Sequence, residues 1–447
     1  MEAPTMIPFE LSANDRILIM APHPDDEVLG CAGIIQRAKA MNLPVHVVFF
    51  TYGDYNEWSF MIYRRTPVLT PTGVRGMGLI RHDEAVAADG SLGLTPDDLT
   101  FLGYPDFGTL SILASHWLDA APYRSILTKV HSVPYPNAFH PGAPYKGEEV
   151  LSDLEKVIRD FQPTKIFVSH PADQHPDHQA MYIFTRIALW ELKLSPEPAL
   201  YPYLVHYKRW PKPHGYHPND PLLPPPGSFP SISWSTRSLS PDETNRKLDA
   251  TKLHRSQFRG NPKYLLSFIR TDELFGDFPE NQLPTSTAST ELPESPENPW
   301  PDIPEQLTST ERASFLGFAE RTVDIKEGNL EISVSFTRPI AMDVAVSLYV
   351  FGYRNDKPFA DMPKLHVEFG AIEHRVLNQD SALPAGTVKL TRHRRGVTIL
   401  IPLQTLGDPD RIITGGRSYL GDVPLDWLSW RIFDLPAGGT GTSSSGK

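Results

Sequence analysis

The sequence predicts an α/β fold with a mainly parallel sheet, followed by a smaller antiparallel β-sandwich. Three observations predict it. Short apolar runs alternate with helix-periodic segments through the first 276 positions, a Pro/Ser/Thr-rich stretch then interrupts the pattern, and strict apolar/polar alternation takes over beyond it. Buried strands joined by helices need crossover connections, so the first part reads as a Rossmann-like three-layer sandwich.

In chain order, Ile17 to Ala21, Val45 to Thr51, Leu99 to Tyr104, Lys165 to Ser169 and Leu200 to Tyr207 read as strands. Val28 to Met41, Leu79 to Ala88, Glu148 to Phe161 and Pro176 to Leu192 carry helical periodicity. Gly30-Cys31-Ala32-Gly33 makes no phosphate loop, and its small residues let the first helix pack closely on the sheet. Two irregular insertions, Asp54 to Gly78 (with Tyr55, Trp58, Phe60, Tyr63 and Arg64-Arg65) and His131 to Gly147, are aromatic enough to form walls of a substrate cleft. Tyr207 to Pro230, rich in proline, reads as a surface connection. The composition then divides the chain into a first domain at 1–276, a linker at 277–308 that cannot bury a core, a sandwich at 309–435 and a flexible tail at 436–447. In the sandwich, Asp343 to Tyr353, Leu330 to Phe336, Leu365 to Phe369 and Val397 to Leu403 have strand patterning. Trp427 and Trp430, three apart, are expected on opposite faces of a strand.

The chemistry gathers at two strand ends. Pro22-His23-Pro24-Asp25-Asp26-Glu27 follows the first strand, and His170-Pro171-Ala172-Asp173-Gln174-His175-Pro176-Asp177-His178 follows the fourth. Open parallel sheets bind ligands outside the carboxyl ends of their strands. Imidazole and carboxylate suit Zn2+ or a similar divalent metal such as Fe2+, and adjacent carboxylates allow one to bind metal while the other moves a proton. Spacing does not say which of Asp25 and Asp26 does which. His175 and His178 lie on one face if a helix starts near Pro176. Arg81 either binds sugar hydroxyls or an anionic substituent, or pairs with Glu84; Asp106 is either a substrate contact or part of a turn. Asp173 and Asp177 are expected behind the ligands, orienting histidines. His170 is left without a role.

These motifs, with Arg81-His82-Asp83-Glu84-Ala85, Leu102-Gly103-Tyr104-Pro105-Asp106, Lys252-Leu253-His254-Arg255-Ser256-Gln257 and Glu273-Leu274-Phe275-Gly276, resemble the PIG-L or LmbE-like zinc-dependent de-N-acetylases. That family acts on N-acetylglucosamine-containing glycoconjugates and related amides. The resemblance spans roughly residues 13 to 276. It implies that His23, Asp26 and His178 hold the metal, that Asp25 is the general base, and that His175 stabilises the oxyanion or serves as acid; on chemical grounds a protonated His175 is expected to stabilise the negative charge of the intermediate.

The expected function is hydrolytic de-N-acetylation of an N-acetylated amino sugar or its conjugate. Two alternatives stand beside it: an amidase acting on a thiol conjugate or acylated natural product, and a carbohydrate-binding protein with a structural metal. An unpaired Asp25 beside the ligands speaks against the last, since a closed structural site needs no spare base. The net charge of −11 over 447 residues, without a basic run, argues against a nucleic-acid partner. A single cysteine excludes an intrachain disulfide. No segment reads as membrane-spanning or as a signal peptide, so a cytoplasmic location is the default expectation; an exported form that has lost its signal peptide reads the same. The sequence leaves the oligomeric state open.

Overall fold

The computed structural model describes residues 6–56, 61–63, 68–225, 232–283, 290–293 and 307–436. Trp58, Phe60, Arg64, Arg65, much of the 277–308 stretch and the tail from 437 lie outside the described residues. The chain divides into two compact units, Met1–Phe278 and Pro279–Lys447.

The first unit is built on β1 (Ile7–Pro8), β2 (Ile17–Ala21), β3 (Val45–Thr51), β4 (Leu99–Tyr104), β5 (Lys165–Ser169), β6 (Ala199–Tyr203), β7 (Trp234–Ser238) and β8 (Asp272–Gly276). They form one sheet in the order β1-β7-β8-β6-β5-β2-β3-β4. The five central strands from β6 to β4 are parallel, and β8 runs antiparallel to β6 and β7. Sequence order reverses between β2 and β5: β3 and β4 add on one side of β2, and β6 adds on the far side of β5. Helices α1 (Asp26–Ala40), α2 (Pro71–Ser91), α3 (Thr109–Ser115), α4 (Gly147–Phe161) and α5 (Pro176–Leu192) lie in the connections, and α6 (Pro241–Leu253), α7 (Arg255–Gly260) and α8 (Pro262–Leu266) precede β8. All residues of β2 are buried, as its uninterrupted apolar run requires.

Four expectations change in detail. Leu79 to Ala88 is the inner part of a longer helix, which Thr70 caps and Pro71 starts; Gly73, Gly76 and Gly78 dilute its sequence periodicity. The Leu200 strand ends at Tyr203 because the Val205 and His206 amides donate to Asp173 instead of continuing the ladder. Pro-rich residues after Tyr207 are anchored: Arg270, fully buried, donates to the Pro213 carbonyl, and Trp210 donates to Leu223. The expected linker also supplies strands, since β9 (Asn281–Gln282) and β10 (Thr290–Pro293) pair at sheet edges, where backbone hydrogen bonds suffice without an apolar face.

The second unit packs two sheets over one core. Its strands are β11 (Phe318–Lys326), β12 (Asn329–Phe336), β13 (Val344–Tyr353), β14 (Lys364–Phe369), β15 (His374–Asn378), β16 (Ser381–Ala382), β17 (Lys389–His393), β18 (Gly396–Pro402), β19 (Arg411–Leu420) and β20 (Val423–Asp434), with β9 and β10. The order is β10-β11-β12-β18-β17 in one sheet and β16-β15-β14-β13-β19-β20-β9 in the other, antiparallel throughout except for β9 against β20. Leu330, Ile332 and Val334 of β12 (Asn329–Phe336) meet Val346, Leu348 and Val350 of β13 (Val344–Tyr353) in that core. Trp427 and Trp430 fall on one face of β20 (Val423–Asp434), contrary to simple alternation. A bulge sets three steps of β20, from Leu428 to Arg431, against two of β19 (Arg411–Leu420), from Gly416 to Thr414. Trp430 is buried beside Tyr349 and Phe351, and the Arg417 guanidinium lies over Trp427.

Close packing of α1 on the sheet follows from its glycines. A Cβ on Gly30 would lie 2.5 Å from the Tyr203 ring, and one on Gly33 would lie 2.1 Å from Leu239. Beneath them, fully buried Lys247 donates to Glu273 and to the Leu29 carbonyl, each at 2.8 Å, while Glu273 accepts from the Gly33 and Ile34 amides. Lys247→Met strands the Glu273 carboxylate in that interior. We expect it to destabilise the first unit by about 3–5 kcal/mol in denaturant unfolding, and a change below about 1 kcal/mol would show that the pair is not what joins α1, α6 and β8.

Candidate active site

The two motif loops leave the sheet at β2 and β5, the neighbours between which sequence order reverses, and this opens a crevice at their carboxyl ends. His23 and Asp26 lie between β2 and the first turn of α1; Asp173, His175, Asp177 and His178 lie between β5 and the first turn of α5. His23, Asp26, Asp106, Asp173, Asp177 and His178 are all buried.

The structure brings His23, Asp26 and His178 together. Asp26 Oδ2 lies 3.1 Å from His23 Nδ1 and 3.1 Å from His178 Nε2, and those two nitrogens are 3.3 Å apart. The opposite nitrogens face carboxylates: His23 Nε2 lies 3.2 Å from both Asp106 Oδ1 and Asp177 Oδ2, and His178 Nδ1 lies 3.2 Å from Asp173 Oδ2. Asp177 is hydrogen-bonded to His23 Nε2 and Asp173 stands opposite His178 Nδ1, an arrangement that favours protons on the outward nitrogens and lone pairs directed inward at one another and at Asp26. Such a group of acceptors repels itself unless a proton or a cation sits among them. Without a cation, protons serve: burial works against charge on His178, but Asp173 and Asp26 raise its pKa to about 9, and Asp106 foremost raises that of His23. Two imidazoles and a carboxylate also fit a divalent transition metal.

Asp173 and Asp177 behave as expected and do more. Asp173 also accepts from the His175, Val205 and His206 amides, and Asp177 accepts from the Phe107 and Thr109 amides. His206, which sequence reasoning missed, has a ring nitrogen within 4.8 Å of the donor atoms of His23, Asp26 and His178. Sequence patterning places it inside the expected strand Leu200 to Tyr207 and gives it no signal as a site residue. His170 lies apart from this cluster, stacked on Trp234.

Asp25 caps α1 at φ 132, a backbone conformation that strains a residue with a Cβ. Glu27 Oε2 accepts its amide at 2.9 Å, and Arg81 Nη2 lies 3.3 Å from its Oδ1. Burial raises the Asp25 pKa to about 6, against the pull of Arg81 and with the push of Asp26. Glu27 in turn lies 3.2 Å from His254 Nε2, a buried histidine of the Lys252–Gln257 segment.

Three residues have surroundings other than those expected. Arg81 neither pairs with Glu84 nor reaches openly toward a ligand: it is buried, with Nη1 donating to the Gly53 carbonyl at 2.8 Å and Nη2 to the Pro24 carbonyl at 2.7 Å, while Glu84 accepts from Ser256. Its guanidinium lies so close to Gly53, at φ +63, that a Cβ there would meet it at 2.2 Å. Asp106 faces His23, with Oδ1 3.2 Å from Nε2, and accepts from the Tyr55 amide through Oδ2. His175 stands where a positive charge is disfavoured: burial first, then the neighbouring His23, His206 and His178, lower its pKa well below the usual imidazole value. Its Nδ1 accepts from the Asp177 amide, which leaves the proton on Nε2, so the neutral ring is itself a donor.

A family model described as GlcNAc-PI de-N-acetylase, PIG-L, matches residues 18–189, in agreement with the resemblance read from the motifs. The chain is 27% identical over 179 residues to a 1D-myo-inositol 2-acetamido-2-deoxy-alpha-D-glucopyranoside deacetylase of Saccharopolyspora erythraea, covering 38% of this chain and 51% of that protein. A deacetylase of the same description from Rhodococcus opacus is 31% identical, with 38% and 52% covered. The chain thus spans about half the length of these curated relatives. Among solved structures, the N,N'-diacetylchitobiose deacetylase of Pyrococcus horikoshii aligns at 22% identity and a TM-score of 0.32, over 55% of this chain and 71% of that one.

The Arg81 contacts lead to a prediction. Arg81→Lys keeps the charge but loses the fork that joins the Pro24 and Gly53 carbonyls, and should lower stability by about 2 kcal/mol in thermal or denaturant unfolding. Unchanged stability with an altered KM alone would return Arg81 to a substrate-binding role.

Proposed function

We propose that the first unit is a metal-dependent hydrolase that removes the acetyl group from an N-acetylated amino sugar or its conjugate. One observation carries this reading: His23 Nδ1, Asp26 Oδ2 and His178 Nε2 converge within 3.3 Å of one another at the reversal point of the sheet, beside the backbone-strained Asp25. The matched PIG-L model and the deacetylase relatives support the same reaction class.

His23, Asp26 and His178 are the residues proposed to hold the cation, with Zn2+ the best fit to two imidazoles and a carboxylate and Fe2+ an alternative. When bound, such a cation supplies Lewis acidity and makes a water molecule acidic enough to attack near neutral pH. Asp25 is the proposed base. It follows His23 by two residues, yet its carboxylate is held by Arg81 instead of joining the three converging donors. In its ionised form it takes the proton of the attacking water, and it returns that proton to the amine nitrogen as the C–N bond breaks. Acetate and a free amino sugar result. His175 is proposed to donate its Nε2 proton as a hydrogen bond to the carbonyl oxygen as negative charge develops there, a contribution typically worth roughly 3 kcal/mol in the transition state.

Asp106, Asp173 and Asp177 act through the histidines they face. An N–H bound to a carboxylate fixes each ring's tautomer and raises the basicity of the opposite nitrogen.

The roles separate in substitution. His23→Ala, Asp26→Ala and His178→Ala should each lose metal and acetate release together, measured by elemental analysis and by acetate assay over a panel of N-acetylated sugars. Asp25→Asn should keep its metal and lose about 100-fold or more in kcat. A His178→Ala protein with full metal content contradicts the ligand set, and an active Asp25→Asn protein contradicts the base.

A further inference from the structure

Phe107 is bulky and apolar, yet it combines two features that packing does not explain. Its backbone stands at φ 58, in the left-handed region that disfavours a large side chain, and 44% of the residue is exposed. Strain of this kind persists where the surroundings impose it, and here they do. Its amide donates to Asp177 Oδ2 at 2.6 Å, the same oxygen that lies 3.2 Å from His23 Nε2. Tyr55 is held in a parallel way: its amide donates to Asp106 Oδ2 at 2.8 Å, and Asp106 Oδ1 lies 3.2 Å from the same His23 nitrogen. The two carboxylates that orient His23 therefore also fix the backbone of two aromatic residues. The Phe107 and Tyr55 rings are 5.0 Å apart, and Phe107 lies 4.3 Å from the His175 ring. An apolar surface thus begins one ring away from the group proposed to face the carbonyl oxygen.

We infer that Phe107, flanked by Tyr55, is the surface on which the amide-bearing sugar ring of the substrate stacks. The inference rests on the proposed reading of the substrate as an N-acylated amino sugar, and it adds the group that positions the sugar. A pyranose ring presents C–H groups on its faces and hydroxyls around its edge, and an aromatic face next to the reacting amide complements the former. Fixed to His23 through Asp177, the ring holds the sugar in register with the centre.

Binding and turnover are measured separately. In saturation-transfer NMR on the metal-free protein with N-acetylglucosamine, saturation should concentrate on ring C–H protons of one sugar face and fall sharply in Phe107→Ala. With metal-loaded protein, Phe107→Ala should raise KM by about 3- to 10-fold for N-acetylglucosamine and equally for N-butyrylglucosamine, with a smaller effect on kcat. Phe107→Gly should lose binding like Phe107→Ala but melt at a higher temperature than it, because glycine accepts φ 58 without strain. Undiminished saturation in Phe107→Ala, absence of saturation in the unsubstituted protein, or a KM effect confined to the butyryl substrate overturns the inference. Ring-face saturation without acetate release leaves the stacking role standing and counts against the hydrolytic reading.

Discussion

The centre depends on the pairing of β2 with β5, in the register Ile17 with Lys165, Leu18 with Ile166 and Ile19 with Phe167. Connections on the two sides of this pair lead away in opposite directions, so neither covers the carboxyl ends of the strands. The register then sets how far His23, two residues after β2, stands from His178, at the start of α5. Buried hydrophobic strands fix that spacing more firmly than loops alone would. The glycines of α1 and the Lys247–Glu273 pair hold the helix that carries Asp26 close against the sheet.

Around this frame the site concentrates charge where water is scarce. Asp26, Asp106, Asp173 and Asp177 are each at least 96% removed from solvent, a costly arrangement unless every carboxylate has partners. The partners are backbone amides from five separate segments, at His23, Tyr55, Phe107–Thr109, His175 and Val205–His206, together with the imidazoles. The same hydrogen bonds both tolerate the buried charge and place the histidines. They also reach outward to the strained backbone of Phe107. A site assembled in this way stores strain in the loops and relies on the sheet to resist it.

Much of the fold was legible because its signals are local. The apolar runs at Ile17, Val45, Leu99 and Lys165 have the observed strand limits, since a strand buried on both faces needs no particular phase. Proximity of His23, Asp26 and His178 followed from motifs at two strand ends. What escaped was set by tertiary context. Nothing local to Leu204-Val205-His206 says that Asp173 will take its amides and end the strand, or that the His206 ring will turn toward the cluster. Arg81 looked like a surface or substrate-facing residue because its partners are main-chain carbonyls at Pro24 and Gly53, which no side-chain pattern reports. The surroundings of His175 were hidden as well, because its burial and the nearby His23, His206 and His178 rings arise from tertiary packing. Trp427 and Trp430 share a face because of one bulge, and β9 and β10 join sheets through backbone pairing that composition does not reveal.

Among the described residues, two overlapping groups of buried and half-buried side chains could hold a metal, one of His23, Asp26, His178 and His206 and one of His23, Asp106, His175 and Asp177. Hydrogen bonding distinguishes them, because in the second group the His23 N–H is directed at Asp106 and Asp177, and Asp177 is already occupied by the Phe107 and Thr109 amides. Anomalous diffraction at the zinc edge from crystals of the Zn2+-loaded protein discriminates directly. The predicted result is one peak bounded by His23 Nδ1, Asp26 and His178 Nε2, with Asp25 outside the coordination sphere. A peak on the opposite side of the His23 ring, among Asp106, His175 and Asp177, would contradict the assignment of ligands and base alike.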